Sequence, residues 1–412
     1  MIEPAATGAM PARLQEIYKE VHCRPRAKSN LDALLPGWEA HVSRARQIPG
    51  VHVEAGGEIL YLDDLSPGCR ACKAGTWDCI FTTMRCNLDC AFCYSPHAIP
   101  EDYAGSAFGT TPEQIAGNHA GTHITGISFS GGEPFLDAPR LFEWAGWFKS
   151  RFPDKYYWIY TNGLLAGQET LERLGELGVD EMRFNVAATG YDHPTVMENL
   201  AAAARFVPHV TVEIPAIPEH ATRLFSCLAG WCARGVRFLN LHELIYEPGT
   251  NAASMPGARQ AVVTADGHCT AINPESRPLT LAVMRRVREE GLPLAVNDCS
   301  LQSKIGQLRG RRQSLSPLVK AAHEKLVGGE TYESCCAYRG EALDFFHPDD
   351  LVEKRRQYPG RQFVRLVRTA PLSLTDRGRW IAIEKLAWRQ NRNPQLVGRG
   401  SREPQQVEDS ST

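Results

Sequence analysis

The sequence predicts an α/β fold in which a parallel sheet forms an open partial barrel, on three observations. Short apolar segments alternate with amphipathic ones, a cysteine-rich loop follows the first of them, and a Gly-Gly-Glu-Pro turn follows the second. Segments 77–83, 124–129, 156–161, 181–186, 210–217 and 236–241 read as strands, and 292–296 as a further one. Segments 138–151, 168–177, 194–206 and 220–233 carry apolar residues at helical spacing. Strands alternating with helices pair in parallel through right-handed crossovers. In such a sheet the C-terminal strand ends face one cavity and carry the ligand-binding residues.

Both motifs fall at that edge. Cys86, Cys90 and Cys93 stand in the run Arg85-Cys-Asn-Leu-Asp-Cys-Ala-Phe-Cys-Tyr94, just past segment 77–83. A Cys-x-x-x-Cys-x-x-Cys loop can aim three thiolates at one metal centre, one ligand short of saturating a four-iron cluster. Zinc takes the same thiolates with a fourth ligand from elsewhere in the fold, so the loop alone leaves the metal open. The second motif is Ser130-Gly131-Gly132-Glu133-Pro134. Its glycines permit backbone angles and close approaches that a Cβ forbids. Nearby carbonyls and the Glu133 carboxylate can accept hydrogen bonds from a ligand ammonium. Alone it would be an ordinary strand-to-helix turn; its place one βα unit after the cysteine loop gives it weight.

Together these residues resemble the radical S-adenosylmethionine (SAM) superfamily. The resemblance implies an open partial (β/α)6 TIM-type barrel in which Cys86, Cys90 and Cys93 hold a [4Fe-4S] cluster whose fourth iron binds the amino and carboxylate groups of SAM. One electron from the cluster would split SAM into methionine and a 5′-deoxyadenosyl radical, which removes a hydrogen atom from the substrate. The protein's part is positioning, because the cofactor carries the hard chemistry. Phe92 matches the position near the adenine, Tyr94 would help close the site, and Gly131, Gly132, Glu133 and Pro134 would orient SAM. Asn162, Asn185 and Glu213, at the third, fourth and fifth strand ends, would contact its ribose and methionine. Read without the resemblance, these three equally cap helices or stabilise turns. Three wider phrases, Pro67-Gly-Cys-Arg-Ala-Cys-Lys-Ala-Gly75, Val212-Glu-Ile-Pro-Ala-Ile-Pro218 and 238–244 followed by Thr250-Asn251, look like a branch related to pyruvate formate-lyase activating enzyme. That likeness covers roughly residues 60 to 315 and implies a fold and a cofactor but no substrate.

In 238–244, alternation sets Leu239 and Leu241 on one face and Asn240 with His242 on the other. His242 and Glu243, at a strand end, read as substrate-side residues able to transfer a proton, although a histidine here is more often a hydrogen-bonded structural residue. Cys69 and Cys72 form a Cys-x-x-Cys before the first strand, and Cys299, Cys335 and Cys336 follow the last. Cys69, Cys72, Cys299 and one of Cys335 and Cys336 suggest a second metal site, an auxiliary Fe-S cluster or zinc; the alternative is a set of buried, inert thiols. Cys227 and Cys232 lie on a helical segment and read as core. With 13 cysteines and no secretory cue, the chain suits metal or redox chemistry in a reducing cytoplasm rather than a disulfide scaffold.

The organisation read from the sequence is an N-terminal extension over 1–60, the barrel over 61–300, a C-terminal extension over 301–390 that is basic from about 354, and a disordered tail over 391–412. No apolar run is long enough to span a membrane. A formal charge of −2 argues against a general nucleic-acid protein. Residues 354–402, however, hold thirteen Lys or Arg against two acids, a pattern that suits RNA, phosphate or an acidic partner and, more often, a solvated face. No phosphate-binding P-loop, Gly-x-Ser-x-Gly elbow or His-Glu-x-x-His is present, which lowers hydrolase and nucleotide-triphosphatase readings. The expected function is a radical SAM enzyme that takes hydrogen from an unidentified small-molecule or peptidyl substrate, with an electron donor such as flavodoxin or ferredoxin. Its competitors are a glycyl-radical-enzyme activase and, in a different class, a non-catalytic zinc protein that binds RNA through its basic C-terminus.

Overall fold

A computed structural model of the chain describes residues 10–22, 29–95, 99–120, 122–264, 269–372 and 378–386. A hairpin of β1 (Val51–Glu54) and β2 (Ile59–Leu62) precedes β3 (Trp77–Thr83), β4 (Gly126–Gly131), β5 (Tyr156–Thr161), β6 (Glu181–Phe184), β7 (His209–Ala216) and β8 (Phe238–Glu243). Three short strands, β9 (Ile245–Tyr246), β10 (Gln260–Val263) and β11 (Cys269–Ile272), form their own sheet, after which β12 (Ala295–Cys299) returns to the first. The nine-stranded sheet runs β1-β2-β12-β8-β7-β6-β5-β4-β3. Every neighbour pair from β3 to β12 is parallel, and β2 is antiparallel to β12. Sequential parallel order is that of a barrel wall, and this wall stays open, with β3 and β1 as its edges.

Local chemistry sets the elements. The central strands are rich in aromatic and branched residues and are covered on both faces, as all four residues of β6 show by being buried. Helix Pro67–Lys73 starts with a proline in its first turn behind Ser66, whose hydroxyl accepts from the Cys69 N–H at 3.2 Å. Ser300 caps helix Leu301–Val319 in the same way through Ser303 at 3.1 Å. One core joins Ile127, Phe129, Ile159, Phe184, Val212 and Leu239 of the sheet to Leu141, Phe148 and Leu200 of the helices.

The segment expected as a strand over 292–296 lies three residues later. The Leu292 N–H closes the end of helix Ser276–Glu289 by donating to Val287 O at 3.0 Å, so pairing with β8 begins only at Ala295. The shift has a consequence for the site, because it carries Cys299 to the C-terminal end of β12.

A second sheet is built from β13 (Lys325–Val327), β14 (Thr331–Arg339), β15 (Ala342–Phe346), β16 (Gln362–Thr369) and β17 (Trp380–Lys385). Helix Ala12–His22 packs against it: Leu14, Ile17 and Val21 share a cluster with Tyr338, Val364 and Leu366. Several cations of the basic run are paired within this unit. Lys354 meets Asp344 at 3.1 Å, Arg365 meets Glu333, and Arg368 meets both oxygens of Glu324 at 2.6 and 2.8 Å. The tail expected over 391–412 lies outside the described residues. No helix among the described residues is long and apolar enough to cross a membrane.

Leu14 is fully buried between the first helix and the second sheet. Leu14→Ala should therefore cost about 2–5 kcal/mol in a denaturant titration and open helix Ala12–His22 to trypsin. Unchanged proteolysis would count against this docking.

Candidate active site

The site begins where β3 and β4 end side by side. The Gly132 N–H donates to Thr83 O and the Glu133 N–H to Arg85 O, both at 2.8 Å, so the turn and the entry to the thiol loop form one short ladder. This approach requires glycine. A Cβ at Gly131 would collide with the Thr83 carbonyl and one at Gly132 with the Arg85 carbonyl, and Gly131 also holds φ at 120°. Arg140 adds a tie from the following helix, donating to Thr82 O at 2.8 Å.

Glu133 points inward. Its carboxylate is 1% exposed and accepts from the Phe135 N–H at 3.2 Å, the Thr161 hydroxyl at 2.9 Å and the Asn162 N–H at 2.7 Å. Burial raises its pKa and these donors oppose the rise. A carboxylate has about four acceptor positions, so a side chain expected to receive a ligand ammonium is mainly occupied in locking the turn to β5. Asn162 continues the lock, donating to Asn87 Oδ1 inside the thiol loop at 2.7 Å. On the loop's other side, Asn251 donates to Phe92 O at 3.0 Å and Ser254 to Ala91 O at 2.8 Å. Neither was a candidate from sequence, since each meets the loop across more than 150 residues of chain.

Within the loop Cys86 and Cys93 are exposed and Cys90 is partly buried. Burial, and then the charges of Cys86 and Cys93, push the Cys90 thiol up to about 11. Thiols that repel one another as anions favour a cation placed among them, which is the donor chemistry of a metal centre. Among the described residues no group of three His, Cys, Asp or Glu already stands in ligating geometry. The fit to an iron-sulfur centre rests instead on three accessible thiols carried by one clamped loop.

A cavity of about 340 Å³ lies beside the loop, lined by Cys90, Phe92, Ala187, Ala188, Ile217 and Met255 among others. Asn185 leads into the short helix Val186–Thr189 but makes no side-chain cap, and its Oδ1 is buried without a hydrogen-bond partner among the described residues. Tyr94 is 49% exposed, and the Lys304 ammonium stands 5.2 Å above its ring centre.

Further along the sheet a buried charge network occupies β6, β7, β8 and β12. Arg183 bonds Glu181 at 2.8 Å and Glu213 at 2.9 Å, and also reaches the Tyr160 hydroxyl at 3.2 Å. Glu213 further accepts from Asn240 at 2.9 Å and pairs with His242 Nε2 at 2.7 Å. Burial would raise the Glu213 carboxyl, but Arg183 and His242 outweigh it and hold it at about 2. Glu213, expected at SAM, is thus bound within the protein. His242 also stands beside Cys299, its register partner across β8 and β12.

The expected pair of His242 and Glu243 is split by strand alternation. Glu243 faces away from His242, its Oε2 accepting from the Leu301 N–H at 2.8 Å at the start of helix Leu301–Val319. The five candidate cysteines for a second metal site also separate. Cys69, Cys72 and Cys299 lie close enough for their charges to act on one another. Cys69 donates to Asn240 Oδ1 at 3.2 Å and Cys72 to Gln307 Oε1 at 3.3 Å. Cys335 and Cys336 belong instead to the second sheet. Adjacent on β14, they enter different apolar clusters, Cys335 with Phe346 and Phe363 and Cys336 with Leu14 and Val364.

Burial raises the Glu243 carboxyl from 4.5 to about 7, opposed by Arg277. The folded chain then binds more protons than the unfolded chain across that window, so this group's contribution to stability is full below 4.5 and is lost as pH rises through about 7. The loss amounts to at most about 3 kcal/mol. Glu243→Gln, which keeps an acceptor for Leu301, should remove that slope from melts taken between pH 4.5 and 8. A wild-type to variant difference that stays constant with pH would contradict the assignment.

A family described as a 4Fe-4S single cluster domain matches residues 67–175, the span that holds both the thiol loop and the Gly-Gly-Glu-Pro turn. A curated protein of Methanocaldococcus jannaschii, named as a glycyl-radical enzyme activating enzyme, is 28% identical over 191 residues, covering 44% of this chain and 51% of that protein. The chain therefore spans about half the length of this curated relative. Among solved structures, Streptococcus suis SuiB bound to S-adenosylmethionine aligns with a TM-score of 0.41 at 13% identity, over 55% of this chain and 50% of that one. The radical S-adenosylmethionine methyltransferase TsrM of Kitasatospora setae, with tryptophan substrate and a SAM analogue bound, aligns with a TM-score of 0.36 at 14% identity, over 53% of each chain. The matched span 67–175 thus carries the cysteine loop and the turn that clamps it, the same residues on which the resemblance to radical SAM enzymes rests.

Proposed function

We propose that the protein is an enzyme that cleaves SAM reductively at a [4Fe-4S] cluster and takes a hydrogen atom from an organic or peptidyl substrate. One observation carries the reading: three accessible thiols on a loop clamped to the Gly-Gly-Glu-Pro turn, beside a cavity at the strand ends. When bound, such a cluster supplies the electron that splits SAM into methionine and a 5′-deoxyadenosyl radical. The chain's own residues position and enclose. Cys86, Cys90 and Cys93 hold the metal; the Gly131 to Pro134 backbone and Asn162 keep the loop in place. The unpaired Asn185 Oδ1 accepts from a hydroxyl of the nucleoside. Phe92, packed between the main core and Ile217, Leu244 and Met255, walls the cavity and keeps water from it. A flavodoxin or ferredoxin is the class of donor that suits the electron.

A second reading, an activase that places a radical on a glycine of a partner protein, is favoured by the name of the archaeal relative. The two differ in where the hydrogen originates. Deuterium carried from a partner's glycine into 5′-deoxyadenosine supports the activase, and deuterium carried from a small molecule or peptide supports the first reading.

The test is anaerobic reconstitution with iron and sulfide, followed by dithionite and SAM. The expected result is about four irons per chain and 5′-deoxyadenosine formation. Cys90→Ala should bring product to background while leaving the fold intact, and Gly132→Ala, which keeps all three thiols, should lower cluster loading by forcing the Arg85 carbonyl away. A colourless protein with stoichiometric zinc and no 5′-deoxyadenosine would overturn the proposal.

A further inference from the structure

We propose that Glu213, His242 and Cys299 form a nucleophilic cysteine site that takes a substrate or effector bearing an electrophilic carbon. None of the three belongs to the thiol loop or to the contacts that clamp it, and they stand together across β7, β8 and β12. Parallel register sets His242 on β8 directly beside Cys299 on β12, on the same face of the sheet. Glu213, one strand further, holds the imidazole from its other side at 2.7 Å and is itself fixed by Arg183 and Asn240. A nucleophile, a base beside it and a carboxylate that orients the base are the parts such chemistry requires.

The surroundings single out Cys299 among the deep thiols. Cys69 and Cys72 donate to amide oxygens, and burial raises both. Burial would raise Cys299 as well, but His242, Lys304 and Lys73 together pull it below its ordinary value. The groups facing this pair come from every neighbouring element: Cys69, Cys72 and Lys73 from helix Pro67–Lys73, Arg183 from β6, Glu213 from β7, Glu243 from β8 and Lys304 from helix Leu301–Val319. An imidazole paired with a carboxylate and set beside a thiolate is favoured as the cation. The His242 side chain is 19% exposed, and Lys304, which also covers Tyr94 of the thiol loop, is partly exposed, so a small reagent has an approach. In the reaction the sulfur lone pair forms a C–S bond, the leaving group departs with its bonding pair, and the proton remains on His242. No oxidant or reductant is needed.

The test is iodoacetamide on the reconstituted full chain under anaerobic conditions, with the modification rate at each cysteine read by peptide mass spectrometry from pH 5.5 to 9. Cys299 should react at least tenfold faster at pH 7 than Cys69, Cys72 or Cys335, at a rate nearly flat above pH 7. His242→Asn should slow it at least tenfold at pH 7 and restore a rise toward pH 9, with Glu213→Gln in between. The wild-type profile decides the matter even if a variant misfolds. A Cys299 rate no greater than those of Cys69 and Cys72, or one rising tenfold per pH unit up to pH 9, would overturn the proposal. Stoichiometric zinc that shields Cys69, Cys72 and Cys299 together until a chelator is added would overturn it in favour of a metal site. The readout does not involve 5′-deoxyadenosine, so its failure and that of the radical reading are distinguishable.

Discussion

The close backbone contact between Gly131-Gly132 and Thr83 to Arg85 is the constraint on which the rest of the site depends. It brings the exit of β4 against the exit of β3, and it exists only because neither glycine carries a Cβ. Everything around it acts to hold that contact in one geometry. Glu133 ties the turn to β5, Asn162 ties β5 to the loop, and Asn251 and Ser254 approach the loop from the far side. The loop is thus held through backbone atoms and short amides, leaving its thiols to the solvent side. A site that must accept a bulky metal group benefits from this division, since the supports do not compete for the donors.

The interior of the sheet follows a different logic. Arg183, Glu181 and Glu213 are charges taken out of water, and such groups are tolerated only when each is paired and its remaining hydrogen-bonding positions are filled. The network meets that demand and in doing so polarises its neighbours: an imidazole pushed toward the cation, and a thiol pulled toward the anion. An apolar packing of the same strands would hold the sheet at least as well. What the charged arrangement adds is a field at the C-terminal strand ends, the edge at which ligands bind in this architecture.

The second sheet obeys simpler packing rules. Its basic strands read as a possible anionic-partner surface in one dimension, yet Lys354, Arg365 and Arg368 each find an acid on a neighbouring segment. The first helix closes one face of that sheet, so the two ends of the described chain share one core although over 300 residues separate them.

The strand and helix alternation, the parallel order and the thiol loop with its following turn were legible in the sequence, because each depends on neighbours within one βα unit. Local spacing is enough to bring Cys86, Cys90 and Cys93 together and to require glycine after β4. What the long-range side chains do was not legible. Glu133 and Glu213 look like free carboxylates in the sequence, yet they are acceptors consumed by Thr161, Asn162, Arg183 and His242. Glu243 follows His242 directly but faces a helix start, since successive strand residues point to opposite sides. The two-strand neighbourhood of His242 and Cys299 depends on β12 beginning three residues later than its apolar run suggests. A hydrophobic pattern measures burial along the chain; which strand lies beside which, and which atoms therefore pair, is set only when the sheet closes its register.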